Sequence, residues 1–294
     1  MTQKFTLDSL NALSADAFTA RVGDIFEHAA WVAEGAAGRR PFATVTALHD
    51  AMVAVVRESP AERQLTFIRA HPELGSKVKR LDITAESQSE QGSLGLDQLS
   101  DAEFTRFSEL NKAYREKFGF PFIICVRRHT RDSILRQFER RLANDSDTER
   151  KAALDEIALI TRLRLVDKVD GPGMPKTTGR ISTHVLDNVS GRPAQGVTIS
   201  LYEVGASARG LLGKAVTNSD GRTEQPFVSG GPLRIGTYEL QFDVAGYFAA
   251  NKTVQADPAF LDIVPIRFSV AEPEGHYHVP LLVTPWSYST YRGS

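Results

Sequence analysis

Three histidines and one arginine in the second half of the chain are of the types that move protons near neutral pH. His184 lies in Ile181-Ser-Thr-His-Val-Leu-Asp187, His276 and His278 lie in His276-Tyr-His-Val-Pro-Leu-Leu282, and Arg222 follows the turn Ser219-Asp-Gly221. Two neutral imidazoles converging with a guanidinium could activate a water molecule and stabilise an oxyanion. The same spacing also suits surface histidines on an open sheet. A zinc site is a further reading, although His-x-His lacks a nearby Cys or carboxylate at the usual structural-site spacing. A second group lies in the first half, His71-Pro-Glu-Leu-Gly75 followed by Ser87-Gln-Ser-Glu90-Gln91. A His and a carboxylate outside the packed helical faces can exchange protons with a substrate, while a His71 that caps a loop beside a solvated Glu90 has the same pattern.

The elements that must position these groups differ between the halves. Up to about Val169 the apolar residues recur at helical spacing, as in Phe18, Val22, Ile25, Ala29 and Val32, or Phe104, Phe107, Leu110, Tyr114 and Phe118. Capping-box patterns at Ser100-Asp-Ala-Glu103 and Ser146-Asp-Thr-Glu149 mark two helix starts. The irregular stretch between His71 and Leu99 interrupts this pattern, and long irregular segments in compact domains are often functional. Gly and Pro concentrate in Val169-Asp-Gly-Pro-Gly-Met-Pro-Lys-Thr-Thr178, which reads as a linker. Beyond it the period becomes two: Tyr238, Leu240, Phe242 and Val244 alternate with polar residues, and turns such as Asn218-Ser-Asp-Gly221 punctuate the runs. The expectation is an all-α domain over 1–169, a linker over 170–178 and a small antiparallel β-sandwich over 179–294. Alternation places His184 opposite Thr183 and Val185, and His276 and His278 on one face.

Composition narrows the partners. With 294 residues, 41% of them hydrophobic, the chain can bury two ordinary cores. A net charge of -1 leaves no basic excess for a phosphate backbone, so no nucleic acid partner is expected and the ligand should be small. No apolar run approaches the roughly 20 residues needed to span a bilayer, and no signal peptide or terminal Ser-Lys-Leu is read, so a soluble cytoplasmic protein is expected, with a peroxisomal address by another signal left open. The single cysteine, Cys125, sits in an apolar run and reads as a buried structural thiol.

The motifs carry two resemblances. Ile181-Ser-Thr-His-Val-Leu-Asp187, Gly191-Arg-Pro-Ala194, Asp220-Gly-Arg222, His276-Tyr-His-Val-Pro-Leu-Leu282 and the closing Tyr291-Arg-Gly-Ser294 resemble the 5-hydroxyisourate hydrolase family, enzymatic relatives of transthyretin. That resemblance implies a transthyretin-like sandwich in a homotetramer with sites between dimers. It implies His184, Arg222 and His278 as the catalytic set, and Tyr291, Arg292, Gly293 and Ser294 lining the site. His71-Pro-Glu73, Ser87-Gln-Ser-Glu-Gln91, Lys117-Phe-Gly-Phe-Pro-Phe-Ile-Ile124 and the helix Glu156 to Leu165 resemble the 2-oxo-4-hydroxy-4-carboxy-5-ureidoimidazoline (OHCU) decarboxylase family. This implies an all-α fold without cofactor or metal, and His71 and Glu90 as catalytic. Pro72, Ser87, Gln91, Phe122, Ile123 and Arg164 would shape the pocket. Arg162 competes with Arg164 for that place, because a helix turns 100° per residue and only one can face the pocket. Together the halves resemble the bifunctional allantoin synthase type, a urate-degrading enzyme in which the product of the second half is the substrate of the first. The alternatives are a chain with one active domain and one scaffold, or a non-catalytic transthyretin-like carrier.

Overall fold

The computed structural model describes residues 4–74, 92, 101–206 and 209–293. The chain divides into two compact units, residues 1–126 with 134–176 and residues 127–133 with 177–294. No helix among the described residues is long and apolar enough to cross a membrane.

The first unit is helical. Helices α1 (Leu7–Asn11), α2 (Ala15–Val22), α3 (Ala30–Ala37), α4 (Val45–Glu58) and α5 (Ala61–Arg69) precede α6 (Asp101–Phe118), α7 (Arg131–Arg141, in this unit from Ile134 on) and α8 (Ser146–Lys168). Ser14 and Thr44 sit in extended backbone, and their hydroxyls accept the amides of Ala17 and Ala47 at 3.2 and 3.0 Å. Each bond satisfies a donor that a first helical turn leaves without a partner. On α4 the buried Val45, Leu48, His49, Met52 and Val56 fall on one face, as a helix packed on a core requires. α6 buries Phe107, Leu110, Tyr114 and Phe118, the face its periodicity predicts.

Two local expectations are corrected. The series Phe18 to Val32 is not one helix: α2 stops at Val22, where Gly23 donates to the Thr19 carbonyl at 2.8 Å, and a turn carries Ile25 and Ala29 into the same core. Helix α8 is capped by Asp145, whose carboxylate accepts the Thr148 amide at 2.8 Å, not by a box between Ser146 and Glu149. Glu149 is fully buried and accepts from Arg141 Nε at 2.8 Å, from Asn144 Nδ2 at 2.7 Å and from the Tyr114 hydroxyl. A buried carboxylate needs its counter-charge and full hydrogen bonding more than a helix start needs a second cap. The box at Ser100 lies outside the described residues.

Residues 169–173 are bonded into this unit. Strand β1 (Phe5–Thr6) pairs in parallel with β2 (Val169–Asp170), and the amides of Val45 and Thr46 donate to the carbonyls of Pro172 and Gly173 at 2.9 and 3.1 Å. Gly173 has φ +61°, and a Cβ there would lie 2.6 Å from the Thr44 side chain, so glycine is required on both counts.

The second unit is a sandwich. One sheet has the order β7-β6-β8-β9, all antiparallel, formed by β6 (Thr198–Val204), β7 (Arg209–Val216), β8 (Gly236–Asp243) and β9 (Ile263–Val270). The other has the order β12-β11-β4-β5, from β4 (Val185–Asp187), β5 (Arg192–Pro193), β11 (Leu281–Thr284) and β12 (Ser287–Thr290). Short strands β3 (Arg180–Ser182) and β10 (His276–His278) pair beside it, and α9 (Val244–Ala250) follows β8. The pairs β3–β10 and β4–β11 are parallel within an otherwise antiparallel fold. Ile181, Val185, Leu281 and Val283 pack with Ile199, Leu201, Leu240, Phe242 and Val264 in one core. Residues 127–133 belong here by their backbone: Thr130 donates to the Ile235 carbonyl at 3.1 Å, and Ile235 to that of Arg128 at 2.8 Å.

The Glu149–Arg141 pair gives the helical unit a sharp test. Glu149→Leu strands a buried guanidinium and should lower the unit's stability by about 3–5 kcal/mol, read as loss of helical circular dichroism at lower denaturant. Arg106→Ala breaks the exposed pair with Glu139 at 2.7 Å and should cost below about 1 kcal/mol. Equal costs would contradict this account.

Candidate active sites

In the first unit, α5 ends at Arg69 and the chain turns so that His71 lies against the helix's last carbonyls. Its Nδ1 is 3.0 Å from the Phe67 carbonyl, and its ring meets the Phe67 ring edge-on at 4.9 Å between centroids. A carbonyl only accepts, so Nδ1 carries the proton and Nε2 keeps its lone pair. Burial is the main reason the His71 pKa falls from 6.5 to about 4; the Phe67 bond and Glu27 oppose the fall, and Arg164 adds to it. The ring is a neutral acceptor at physiological pH.

His71, Pro72, Phe122, Ile123, Arg164 and Glu27 line one pocket. Arg164 and Glu27 are both buried, with Nη1 and Oε2 3.3 Å apart. Phe122 and Ile123 belong to a non-helical apolar run, fixed where Arg141 donates to the Ile123 carbonyl at 2.7 Å and stacks over the Phe122 ring at 4.6 Å. The Cys125 amide donates to Glu156 at 2.8 Å, which ties the run to α8, and the Cys125 thiol is buried. Of the two arginines on α8, Arg164 enters the pocket, whereas Arg162 acts on His49. Glu27 is the residue sequence reasoning missed. Its one signal is an acidic side chain amid Ile25, Phe26, Ala29 and Ala30, where a charge needs a buried partner. Glu90, Ser87 and Gln91 lie outside the described residues.

In the second unit the histidines meet through β3 and β10. The parallel register sets His276 beside Arg180, Tyr277 beside Ile181 and His278 beside Ser182. Tyr277, Ile181, Thr183 and Val185 are buried, so Ser182, His184, His276 and His278 share the other face, as alternation predicts. Ser182 Oγ lies 3.0 Å from His278 Nδ1 and 2.8 Å from His276 Nε2, and Arg180 Nη2 lies 3.3 Å from His276 Nδ1. His184 sits between β3 and β4, where its backbone bridges Arg222 and its carbonyl accepts the Leu281 amide at 2.8 Å. Arg222 is presented by a turn in which Asn218 Oδ1 accepts the amides of Asp220 and Arg222, both at 3.1 Å. Burial, then the Arg222 charge, holds both His184 and His278 below the ordinary histidine range.

Two glycines let backbone approach these rings. A Cβ on Gly221, φ +69°, would lie 2.3 Å from the Val185 carbonyl and 3.1 Å from His184 Cδ2. A Cβ on Gly293 would lie 2.5 Å from His278 Cδ2, and the Gly293 amide donates to the His278 carbonyl at 2.8 Å. Tyr291 and Arg292 line a groove with Phe268 and Tyr277, the Arg292 guanidinium 4.8 Å from the Tyr277 ring centre. Ser294 lies outside the described residues. No group of three or more His, Cys, Asp or Glu side chains among the described residues could hold a metal; His276 and His278 meet through a serine hydroxyl.

Comparison with known proteins places each half of the chain in a family. Residues 11–166 match the OHCU decarboxylase family and residues 181–293 the HIUase/Transthyretin family. A 2-oxo-4-hydroxy-4-carboxy-5-ureidoimidazoline decarboxylase of Haloferax volcanii is 42% identical over 165 residues, covering 56% of this chain and 96% of that protein. A 5-hydroxyisourate hydrolase of Deinococcus radiodurans is 55% identical over 114 residues, covering 39% of this chain and 95% of that protein. The crystal structure of an (S)-allantoin synthase is 36% identical with a TM-score of 0.54, covering 99% of this chain and 100% of that one. The chain therefore belongs to the OHCU decarboxylase family through its first half and to the HIUase/transthyretin family through its second.

Proposed function

We propose that this chain is a bifunctional enzyme of urate degradation, in which the β unit hydrolyses 5-hydroxyisourate to OHCU and the helical unit decarboxylates OHCU to (S)-allantoin. The observation that carries the reading is that each family's motif residues gather inside the half that matches that family: His71, Pro72 and Arg164 in one pocket, and His184, Arg222 and His278 on one face.

In the hydrolase step, the His184 and His278 imidazoles hold and activate a water that attacks a ring carbonyl, and Arg222 favours the anionic substrate and the oxyanion. No covalent nucleophile is needed. In the decarboxylase step, loss of carbon dioxide leaves electron density that the ureidoimidazoline spreads into its own ring, so the protein has only to orient, desolvate and protonate. Arg164, its charge balanced by Glu27, holds a substrate carboxylate or carbonyl, while His71 with Glu90 manages the proton. The decarboxylase work falls to residues 1–169 and the hydrolase work to 179–294. The hydrolase face is half open in one copy, with Arg222, Tyr291 and Arg292 exposed, which suits completion in a homotetramer with further dimeric contacts between helical units.

The direct test generates 5-hydroxyisourate in situ, follows its decay by absorbance and records the circular dichroism of the allantoin formed. Rapid decay with prompt, single-handed allantoin is expected; rapid decay followed by slow racemic allantoin would reduce the helical unit to a scaffold, and no acceleration would favour a carrier. His71→Asn should abolish decarboxylation and spare hydrolysis, whereas equal loss of both would point to misfolding. Gly293→Ala should do the reverse, lowering hydrolysis on the order of 100-fold by displacing the His278 ring. The His71 resonance should stay that of a neutral ring from about pH 8 to 5. Because burial lowers this pKa from 6.5 to about 4, the stability tied to its neutral form is complete above 6.5 and is lost as pH falls toward 4.

A further inference from the structure

The hydrogen bonds around His278 have a fixed polarity, and counting protons along them fixes what that ring can do. Arg180 has donors only, so His276 Nδ1, 3.3 Å from its Nη2, must accept. Burial and the Arg180 charge keep His276 below the ordinary histidine range, so the neutral ring carries its one proton on Nε2. That nitrogen is 2.8 Å from Ser182 Oγ and donates to it. The single hydroxyl proton of Ser182 is then left for His278 Nδ1 at 3.0 Å, which must accept. Neutral His278 therefore carries its proton on Nε2. His184 is held by no such chain: its Nε2 is buried without a protein partner, so no hydrogen bond commits that ring to a donor role, and it is the imidazole left to act as base.

We propose that the chain Arg180, His276, Ser182 holds His278 as a neutral Nε2–H hydrogen-bond donor, and that His184 alone is the base of the hydrolase site; Arg180, His276 and Ser182 are positioning residues that act through His278. The assignment rests on the hydrolase reading given above and divides the work that reading shares between two imidazoles. The unprotonated nitrogen of His184 takes a proton from water as the water oxygen bonds to the carbonyl carbon and the carbonyl π pair moves onto oxygen. His278 Nε2–H and Arg222 stabilise that oxyanion. When the oxyanion re-forms the carbonyl and the ring C–N bond breaks, protonated His184 returns its proton to the departing nitrogen. Atoms and charges balance, and His278 never changes its protonation state.

The tautomers can be read directly by long-range proton–nitrogen correlation NMR on the full chain labelled at histidine nitrogens. The expected result is an unprotonated Nδ1 and protonated Nε2 for His278; a His278 protonated on Nδ1 overturns the proposal whatever the activity. Kinetics supply the second arm. His276→Gln offers an amide N–H to Ser182 and an oxygen to Arg180, and should keep kcat within about threefold, whereas His276→Glu can only accept from Ser182, reverses the chain and should lower kcat by on the order of 100-fold with KM little changed. Ser182→Thr should resemble the wild type, and Ser182→Ala should fall with His276→Glu. Equal kcat in Ser182→Ala and wild type, or equal loss in His276→Gln and His276→Glu, overturns the positioning role. A chain with the expected His278 tautomer that does not hydrolyse 5-hydroxyisourate overturns the hydrolase reading instead, and with it the catalytic division.

Discussion

The register between β3 and β10 is the constraint on which the second unit's chemistry depends. Pairing His278 with Ser182 and His276 with Arg180 puts two imidazoles, a hydroxyl and a guanidinium on one face, while Tyr277 and Ile181 fill the core behind them. Strand side chains alternate, so a slip of one residue would send the histidines inward and the tyrosine outward. The buried Ile181, Val185, Leu281 and Val283 make that slip costly, and the packing that stabilises the sandwich thereby also aims the site. Pro280, which lacks an amide proton, ends the ladder after Val279 and separates β10 from β11 near His184, the residue that turns to bridge Arg222.

The first unit obtains its histidine differently. His71 depends on no sheet; a helix end supplies the Phe67 carbonyl that fixes its tautomer. Another part of the pocket lining is a non-helical apolar run, in which Arg141 satisfies the Ile123 carbonyl and Glu156 the Cys125 amide from neighbouring helices. Glu149 matters because it anchors Arg141, which in turn carries the wall. A charge outside the pocket lining thus sets the shape of an uncharged surface within it.

The halves were legible to different degrees, for physical reasons. Strand alternation has a period of two and leaves little doubt about faces, so the shared face of His276 and His278 and the buried partners of His184 could be read directly. Helical periodicity is more forgiving: Phe18 through Val32 keeps its spacing across the turn that ends α2, because a compact turn can return residues to the same core. The capping box at Ser146 failed because Glu149 had a stronger claim on it from a buried arginine, a tertiary contact that no local pattern contains. Glu27 showed only as a charge amid apolar neighbours, because its partner Arg164 lies far along the chain. The choice between Arg162 and Arg164 needed helix phase in three dimensions. Gly293 and Gly221 could be quoted as motif letters, but that each leaves room for an imidazole is legible only from the backbone beside it.

The sequence separation across β3 and β10 has a consequence for biosynthesis. Ser182 and His278 are separated by 96 positions, so the histidine cluster cannot close until nearly all of the β unit has left the ribosome. The helical unit is spanned by residues up to 176, and its closing contact, β1 with β2, is available before β3 emerges. Synthesis therefore makes the later catalyst of the pair first: the decarboxylase can be waiting, folded, when the site that supplies its substrate is still being assembled, and no nascent chain need release that intermediate without a partner able to consume it.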